Sequence, residues 1–239
     1  DVYTDTTAPT RGKYGNNSSF SYLQTEAIGG GGGGSRFGTF TPSSGGSGGG
    51  ACWHDNGSTN IVGGLGTISS IVKDDGTTII SNYRQGFDGG DILAPNSTAP
   101  YYPYCAGGGG AGSEGKSNYH APDDSLDANG GDGVSGKDGI DFKTYFNITD
   151  TNIGEHSGSS VYFAGGGAGG ASVWFANNSI GGLGGGGNSF NGDGENGKNN
   201  TGGGGSGSRA SESRGQANGG NGGSGIVIIR FSRYDTTPL

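Results

Sequence analysis

The chain has 239 residues, of which 60 are glycine and only 7 are proline, and its formal net charge is −8. With so little proline and no Gly-X-Y period, a collagen triple helix is excluded. The acidic balance argues against nucleic-acid and anionic-membrane partners, and no apolar stretch reaches the roughly 18 residues of a membrane-spanning helix.

We expect the chain to be ordered rather than to be a flexible glycine-rich linker, which is the alternative that its composition offers. It contains 11 Tyr, 10 Phe and 2 Trp, whereas disordered chains are usually poor in aromatic residues. Its hydrophobic fraction of 28% is low for a conventional core. The cohesion of the fold is therefore expected to come from backbones packed at contact distance, which only glycine allows.

Glycine is concentrated in runs that recur along the chain. The seven glycine runs are Gly29–Gly34, Gly45–Gly50, Gly107–Gly112, Gly165–Gly170, Gly181–Gly187, Gly202–Gly205 and Gly219–Gly225. Glycine segments can adopt the extended threefold polyproline II conformation and bond to one another side by side. We predict a mainly β and irregular fold of packed polyglycine II helices, with short strands, long loops and almost no α-helix.

A β-hairpin is predicted within residues 51–104, whose composition is ordinary. Two β-branched arms, at residues 67–72 and 77–83, flank Lys73-Asp-Asp-Gly76, and an Asp-Gly turn between such arms is typical of a hairpin.

Further short strands are predicted from local apolar patterns, at residues 19–23, 35–41 and 142–149. The densest apolar stretch, Ile226–Phe231, follows the last glycine run and begins with four β-branched residues. It predicts a strand that is covered on both faces and that anchors the glycine runs.

The predicted domain organisation is a single glycine-rich domain over residues 29–232, with an insertion at about 51–104. Residues 1–28 are expected to be an N-terminal extension or remnant, and 233–239 a C-terminal tail. Because the sequence contains no Met and no signal peptide, we expect it to start after a processing site or to be a fragment.

Cys52 and Cys105 are the two cysteines of the chain. As a disulfide they would close a loop of about 50 residues, worth ~4 kcal/mol in the chain-entropy model; two separate thiols are the alternative. Glycosylation sequons begin at Asn16, Asn17, Asn56, Asn96, Asn147, Asn177 and Asn199, although several arise by chance in such a composition. Together these features favour an extracellular or virion-surface location.

The glycine runs, Ser35-Arg-Phe-Gly-Thr-Phe40, Val161-Tyr-Phe-Ala-Gly-Gly-Gly167 and the closing Gly222-Gly-Ser-Gly-Ile-Val-Ile-Ile-Arg-Phe231 resemble the glycine-rich domain of phage and virus tail-fibre and surface proteins. The resemblance covers about residues 25–50 and 105–232. It implies packed polyglycine II helices that present variable loops as an adhesin or virion-surface element. A related domain in animal receptor ectodomains binds a protein ligand.

Three sequence patterns that could indicate nucleotide binding, catalysis or metal binding are weak evidence for these functions. Gly110–Ser117 matches a phosphate-binding loop and Gly45–Gly49 a nucleophile elbow, but neither has the flanking strand and helix that the chemistry needs. The histidines His54, His120 and His156 do not stand at metal-ligand spacing. We therefore predict no catalytic residue, no metal site and no cofactor.

Aromatic residues in the loops beside the glycine runs are the stronger signal, because rigidly held aromatic loops are typical of binding surfaces. The candidate binding residues are Trp53, His54, Tyr101, Tyr102, Tyr104, Tyr119, His120 and Trp174. For Trp174, packing over the glycine helices as part of the core is an equal alternative.

The sequence thus predicts a non-enzymatic virion-surface protein of the tail-fibre, spike or minor capsid type. Its expected partners are other virion subunits or a host receptor or glycan, with a homo-oligomer as a further possibility. The second hypothesis is an extracellular ligand-binding domain of a cellular receptor or matrix protein.

Overall fold

The computed structural model describes residues 10–20, 25–35, 41–51, 61–72, 79–92, 106–117, 136–137, 140–170, 179–190, 192–208 and 217–229. In chain order they form the strands β1 (Ser18–Phe20), β2 (Thr25–Ala27), β3 (Ile68–Val72), β4 (Ile79–Arg84), β5 (Gly136–Lys137) and β6 (Ile140–Asp141), then helix α1 (Phe142–Tyr145), and last β7 (Glu155–Ser157) and β8 (Ser160–Tyr162). The prediction of short strands with almost no helix is confirmed.

The strands pair only with their sequence neighbours, in the antiparallel hairpins β1–β2, β3–β4, β5–β6 and β7–β8, so no larger sheet forms among the described residues. The β3–β4 hairpin is the one that the sequence predicts. Its ladder extends from Ile68 opposite Arg84 to Val72 opposite Ile79. The Lys73–Gly76 turn lies outside the described residues, as does most of the strand expected at 35–41.

Between the hairpins, the backbone bonds with a period of three residues. Gly31 N–H donates to Ser47 O at 2.7 Å, and Gly34 N–H donates to Gly50 O at 2.9 Å. None of the glycines 29–34 has a positive φ. A strand would bond to one neighbour at every second residue, whereas a threefold helix turns the same face to one neighbour at every third. These segments are therefore left-handed polyglycine II helices, and we call their assembly the glycine array.

The central segment of the glycine array is residues 202–208, every one of which is buried. Its backbone bonds to six neighbours: residues 29–34, 47–51, 164–170, 185–189, 194–198 and 217–225. These neighbours also bond to one another in a closed ring, from Gly31 N–H to Ser47 O round to Gly33 N–H to Gly220 O. The interior is thus a hexagonal bundle of backbones rather than a layer of side chains.

Glycine is required in this bundle because no space remains for a side chain. A Cβ on Gly205 would overlap the carbonyl oxygen of Gly220, and a Cβ on Gly33 would overlap that of Ser206. The buried side chains beside the glycines are small, and Ser35, Ser47 and Ser206 are completely buried.

The glycine array also includes segments of mixed composition that the glycine runs do not mark. Residues 10–16, 61–66, 85–92 and 194–198 belong to it, each with glycines three residues apart. Gly12 and Gly15, for example, face the carbonyl oxygens of Gly220 and Gly223. In residues 10–16 and 194–198 one glycine face in three suffices, because the other two faces carry exposed side chains.

Large apolar side chains form two small clusters. Ala51, Ile61, Ile92 and Ala106 make up the first. The second consists of Ile148, Val161 and Phe163, with partly buried neighbours on α1 and at Ile226 and Ile228.

The strand predicted at Ile226–Phe231 is wrong for the part that is described. Residues 226–229 form no ladder, and Ile229 is 38% exposed. The segments beside the preceding glycine run bond at every third residue, so they cannot form a β-ladder, which needs bonds at every second residue. Ile226 and Ile228 instead cover the second apolar cluster, and the centre of the fold is 202–208.

The strand predicted at 142–149 is also wrong, because the segment begins with α1. The helix ends in a Schellman motif, in which Ile148 N–H donates to Lys143 O (2.9 Å) and Asn147 N–H to Thr144 O (3.3 Å). Asn147 takes the left-handed conformation that this motif needs, with φ 50°. The cap and the apolar contacts of Phe142 and Phe146 override the local β preference.

Candidate functional site

The glycine array has two different ends. Its parallel segments finish together where Gly34 N–H donates to Gly50 O (2.9 Å), Ser208 N–H to Gly34 O (3.2 Å) and Gly170 N–H to Ala51 O (3.1 Å). We call this the loop end. The hairpins β1–β2, β3–β4 and β7–β8 leave the array at the opposite end, which we call the hairpin end.

Two long segments leave and return at the loop end through one fixed base. Ala51 N–H donates to Ala106 O (2.9 Å), while Ile61 and Ile92 exchange both backbone bonds (2.8 and 2.9 Å). The four residues are buried together as the first apolar cluster. Residues 52–60 and 93–105, which contain five of the predicted aromatic site residues, therefore start and finish on the same rigid platform.

The remaining predicted site residues also belong to segments that start at the loop end. Asp91 N–H donates to Ser117 Oγ at 2.9 Å, which fixes Ser117 two residues before Tyr119. The segment that contains Trp174 starts at Gly170 and returns at Ser179, whose backbone exchanges two bonds with Ser189 (3.0 and 3.1 Å). Beyond Ser117 the described chain resumes at β5 and β6, which lead into α1.

The aromatic site residues themselves, Trp53, His54, Tyr101, Tyr102, Tyr104, Tyr119, His120 and Trp174, all lie outside the described residues. What the structure adds is the common origin of their segments. Sequence reasoning missed it, although a partial signal exists: the segments that start after Gly45–Gly50 and after Gly165–Gly170 each follow a glycine run, and these two runs cross the array in the same direction.

The pairing of Cys52 with Cys105 stays a prediction, since both lie outside the described residues, but their neighbours Ala51 and Ala106 form an antiparallel bridge. If that register continues by one residue, the cysteines would lie opposite each other, about 4.5–5.5 Å apart at Cα, which is a distance that a disulfide spans. We expect non-reducing peptide mapping to find them linked and reduction to lower the free energy of unfolding by ~4 kcal/mol. The Cys52→Ser/Cys105→Ser double variant, which reduction should not affect, is the control; two alkylatable thiols in the protein as purified would contradict the pairing.

The described sequons differ in their surroundings. Asn16, Asn17, Asn147 and Asn199 are exposed, and all lie toward the hairpin end. The Asn17 side chain is engaged, because its Nδ2 donates to Glu26 Oε2 (2.9 Å) and its Oδ1 accepts from Gly29 N–H (3.1 Å). Asn56, Asn96 and Asn177 lie outside the described residues, and glycosylation at any sequon stays a prediction.

A carboxylate closes the hairpin end. Glu155 Oε2 accepts the N–H groups of Gly184 (2.6 Å) and Gly185 (2.7 Å), whose positive φ values of 105° and 91° turn both donors toward it. Lys198 Nζ donates to Gly154 O at 2.9 Å. These charge-assisted bonds attach β7 to the array. The two glycine N–H groups, which could otherwise bind an anion, are therefore already bonded to the Glu155 carboxylate.

The two catalytic sequence patterns are absorbed into the glycine array. Ser47, the serine of the elbow pattern, is completely buried and donates its Oγ hydrogen to Ala164 O at 3.0 Å. In the phosphate-loop pattern, the N–H groups of Gly110, Ala111 and Gly115 donate to backbone carbonyls at 2.7–3.1 Å. Neither a nucleophile nor an anion cradle is therefore presented by these residues.

Across the part of the chain that the structure describes, no three His, Cys, Asp or Glu side chains come close enough to hold a metal ion. No helix in that part is long and apolar enough to cross a membrane.

In the comparison with protein families, the sequence model of the glycine-rich domain aligns with residues 3–232. The chain belongs to this family. The match extends from the edge segment 10–16 to the apolar end at 226–229, so the whole described glycine array lies within the glycine-rich domain. Comparison with curated proteins and with solved structures gave no match.

Proposed function

We propose that this glycine-rich domain is a non-enzymatic surface protein of a virion, of the tail-fibre, spike or minor capsid type. In this proposal the glycine array is the support, and the segments that leave the loop end contact a host receptor or glycan, or neighbouring subunits of the particle. Its location is then the virion surface or another extracellular setting.

The observation that supports the proposal is the common base of the aromatic segments. Ala51, Ile61, Ile92 and Ala106 hold the ends of residues 52–60 and 93–105 in one buried cluster. A rigid base lowers the ordering cost of binding, because the ends of each segment are already fixed. Aromatic side chains on such segments supply large contact area at low entropic cost.

The test is binding of the fluorescently labelled full chain to a panel of bacterial and animal cells, with a triple variant Tyr101→Ala/Tyr102→Ala/Tyr104→Ala. We expect the triple variant to lose at least tenfold in affinity while its melting temperature stays that of the parent. Tyr145→Ala is the matched control, because Tyr145 is a 44% exposed tyrosine on α1 at the hairpin end.

Equal binding by the triple variant and the parent would reject recognition by these tyrosines. A parent chain that binds no cell, yet is recovered with purified particles, would assign a purely architectural role. Recovery from cell surfaces instead of particles would favour the receptor-ectodomain alternative.

A further inference from the structure

One face of the glycine array carries a regular grid of polar side chains. It is built by the edge segments 10–16, 217–225 and 192–198. In one layer, Lys13 N–H donates to Asn221 Oδ1 at 2.8 Å, and Asn221 N–H donates to Asn196 Oδ1 at 2.8 Å. Each side chain thus satisfies a backbone donor of the neighbouring segment.

The next layer repeats the arrangement three residues away. Thr10 N–H donates to Asn218 Oδ1 at 3.1 Å, and Asn218 N–H donates to Asp193 Oδ1 at 2.7 Å. Three residues of a threefold helix advance by about 9 Å, close to the length of one disaccharide unit. We call this exposed grid the amide face.

The bonds that these Oδ1 atoms accept, which we call the capping bonds, also fix the orientation of the asparagine side chains. Because Oδ1 of Asn218, Asn221 and Asn196 is held against the array, the amide plane of each side chain is fixed and its Nδ2 donors remain for an external acceptor. All three residues are exposed, and no bond of their Nδ2 groups occurs within the described residues. The donors are therefore ordered before any ligand arrives, which lowers the entropic cost of binding.

Charge on the amide face is balanced. Lys13 lies at one side and Asp193 at the other, and both are exposed. The Glu195 carboxylate is turned away from this face, because its Oε2 accepts the N–H and Nδ2 groups of Asn188 (3.3 and 3.0 Å). An anionic or cationic polymer would meet a like charge along its length, so the face favours a neutral ligand.

We propose that the amide face binds a neutral, extended polysaccharide that lies along the three segments. Its hydroxyl oxygens accept from the Nδ2 groups of Asn218, Asn221 and Asn196. This surface is separate from the aromatic segments at the loop end, so it does not depend on the function proposed for them.

The test is affinity electrophoresis of the full chain in gels that contain hydroxyethyl cellulose, glycol chitin or alginate. We expect retardation by at least one of the two neutral polymers and none by alginate. In the variant Asn218→Asp/Asn221→Asp, a carboxylate oxygen still accepts the capping bond while the outward donors are lost. This variant should keep its melting temperature and lose at least tenfold in affinity.

Asn152→Asp is the matched control, because Asn152 is an exposed asparagine whose bonds are local to Asp150. It should bind as the parent does. The proposal is overturned if neither neutral polymer retards the parent, if alginate alone does so, or if Asn218→Asp/Asn221→Asp binds normally. Because Tyr101, Tyr102 and Tyr104 take no part, these outcomes leave the cell-binding test unaffected.

Discussion

Replacing Gly205 by Ala is expected to destabilise the protein by at least about 3 kcal/mol, at the upper end of the cost of overpacking a core. The added Cβ would overlap the carbonyl oxygens of Gly220 and Asn221. These atoms are backbone and cannot change rotamer, and their segment is itself held by residues 29–34 and 194–198. Urea or thermal unfolding followed by circular dichroism measures the loss.

Gly158→Ala is the control that separates overlap from the general cost of losing a glycine. Nothing lies within 4 Å of a Cβ at Gly158, but its φ is +58°, so the substitution should cost about 1 kcal/mol of backbone strain. If Gly205→Ala costs no more than this control, the interior is not a close-packed bundle of backbones.

The amide hydrogen-exchange rates of the glycine-rich segments are expected to depend on the position of each segment in the glycine array rather than on its glycine content. The N–H groups of Gly204, Gly205 and Gly207 donate to carbonyls at 2.7–2.9 Å inside the bundle. They should exchange only when the whole domain unfolds, at least about 10³-fold more slowly than free amides. The N–H groups of Arg11 and Tyr14, at the edge, have no bond in the described structure and should exchange almost freely.

Exchange resolved by residue with nuclear magnetic resonance makes this comparison within one sample. Uniformly fast exchange across residues 202–208 would contradict the glycine array itself. Uniform protection that includes Arg11 and Tyr14 would instead contradict the assignment of residues 10–16 to its edge.

The interior of the fold could be predicted from sequence because its chemistry is simple. Runs such as Gly29–Gly34 leave almost no structure available other than one in which bare backbones bond to each other. The edge segments were harder, since Gly12-Lys-Tyr-Gly15 and Gly194-Glu-Asn-Gly197 look like polar loops. Glycine at every third position is the signal that finds them, once one face in three is known to be enough.

The strand predictions failed where local preference and surroundings disagree. Ile226–Ile229 has strong β propensity. A strand also needs a neighbour that bonds to it at every second residue, and the polyglycine II segments beside it bond at every third. At Phe142–Tyr145, the cap formed by Asn147 and Ile148 and the contact of Phe142 with Phe163, whose ring centroids lie 6.2 Å apart, favour a helical turn.

The candidate site was predictable in its residue types but not in its geometry. Aromatic residues beside glycine runs suggested binding segments, yet their common base depends on which runs are parallel. That direction is decided by contacts such as Gly170 N–H to Ala51 O, which join residues far apart in sequence. The amide face was not anticipated for the same reason, because Lys13, Asn221 and Asn196 become neighbours only in the folded array.

The six-neighbour bundle around residues 202–208 also restricts how such a chain can change length. Deleting one residue inside a run would rotate everything beyond it by a third of a turn, so that a side chain would face inward where only hydrogen fits. Deleting three would restore the original faces. Insertions and deletions within the runs should therefore survive in multiples of three, while the connections at either end are free to vary one residue at a time.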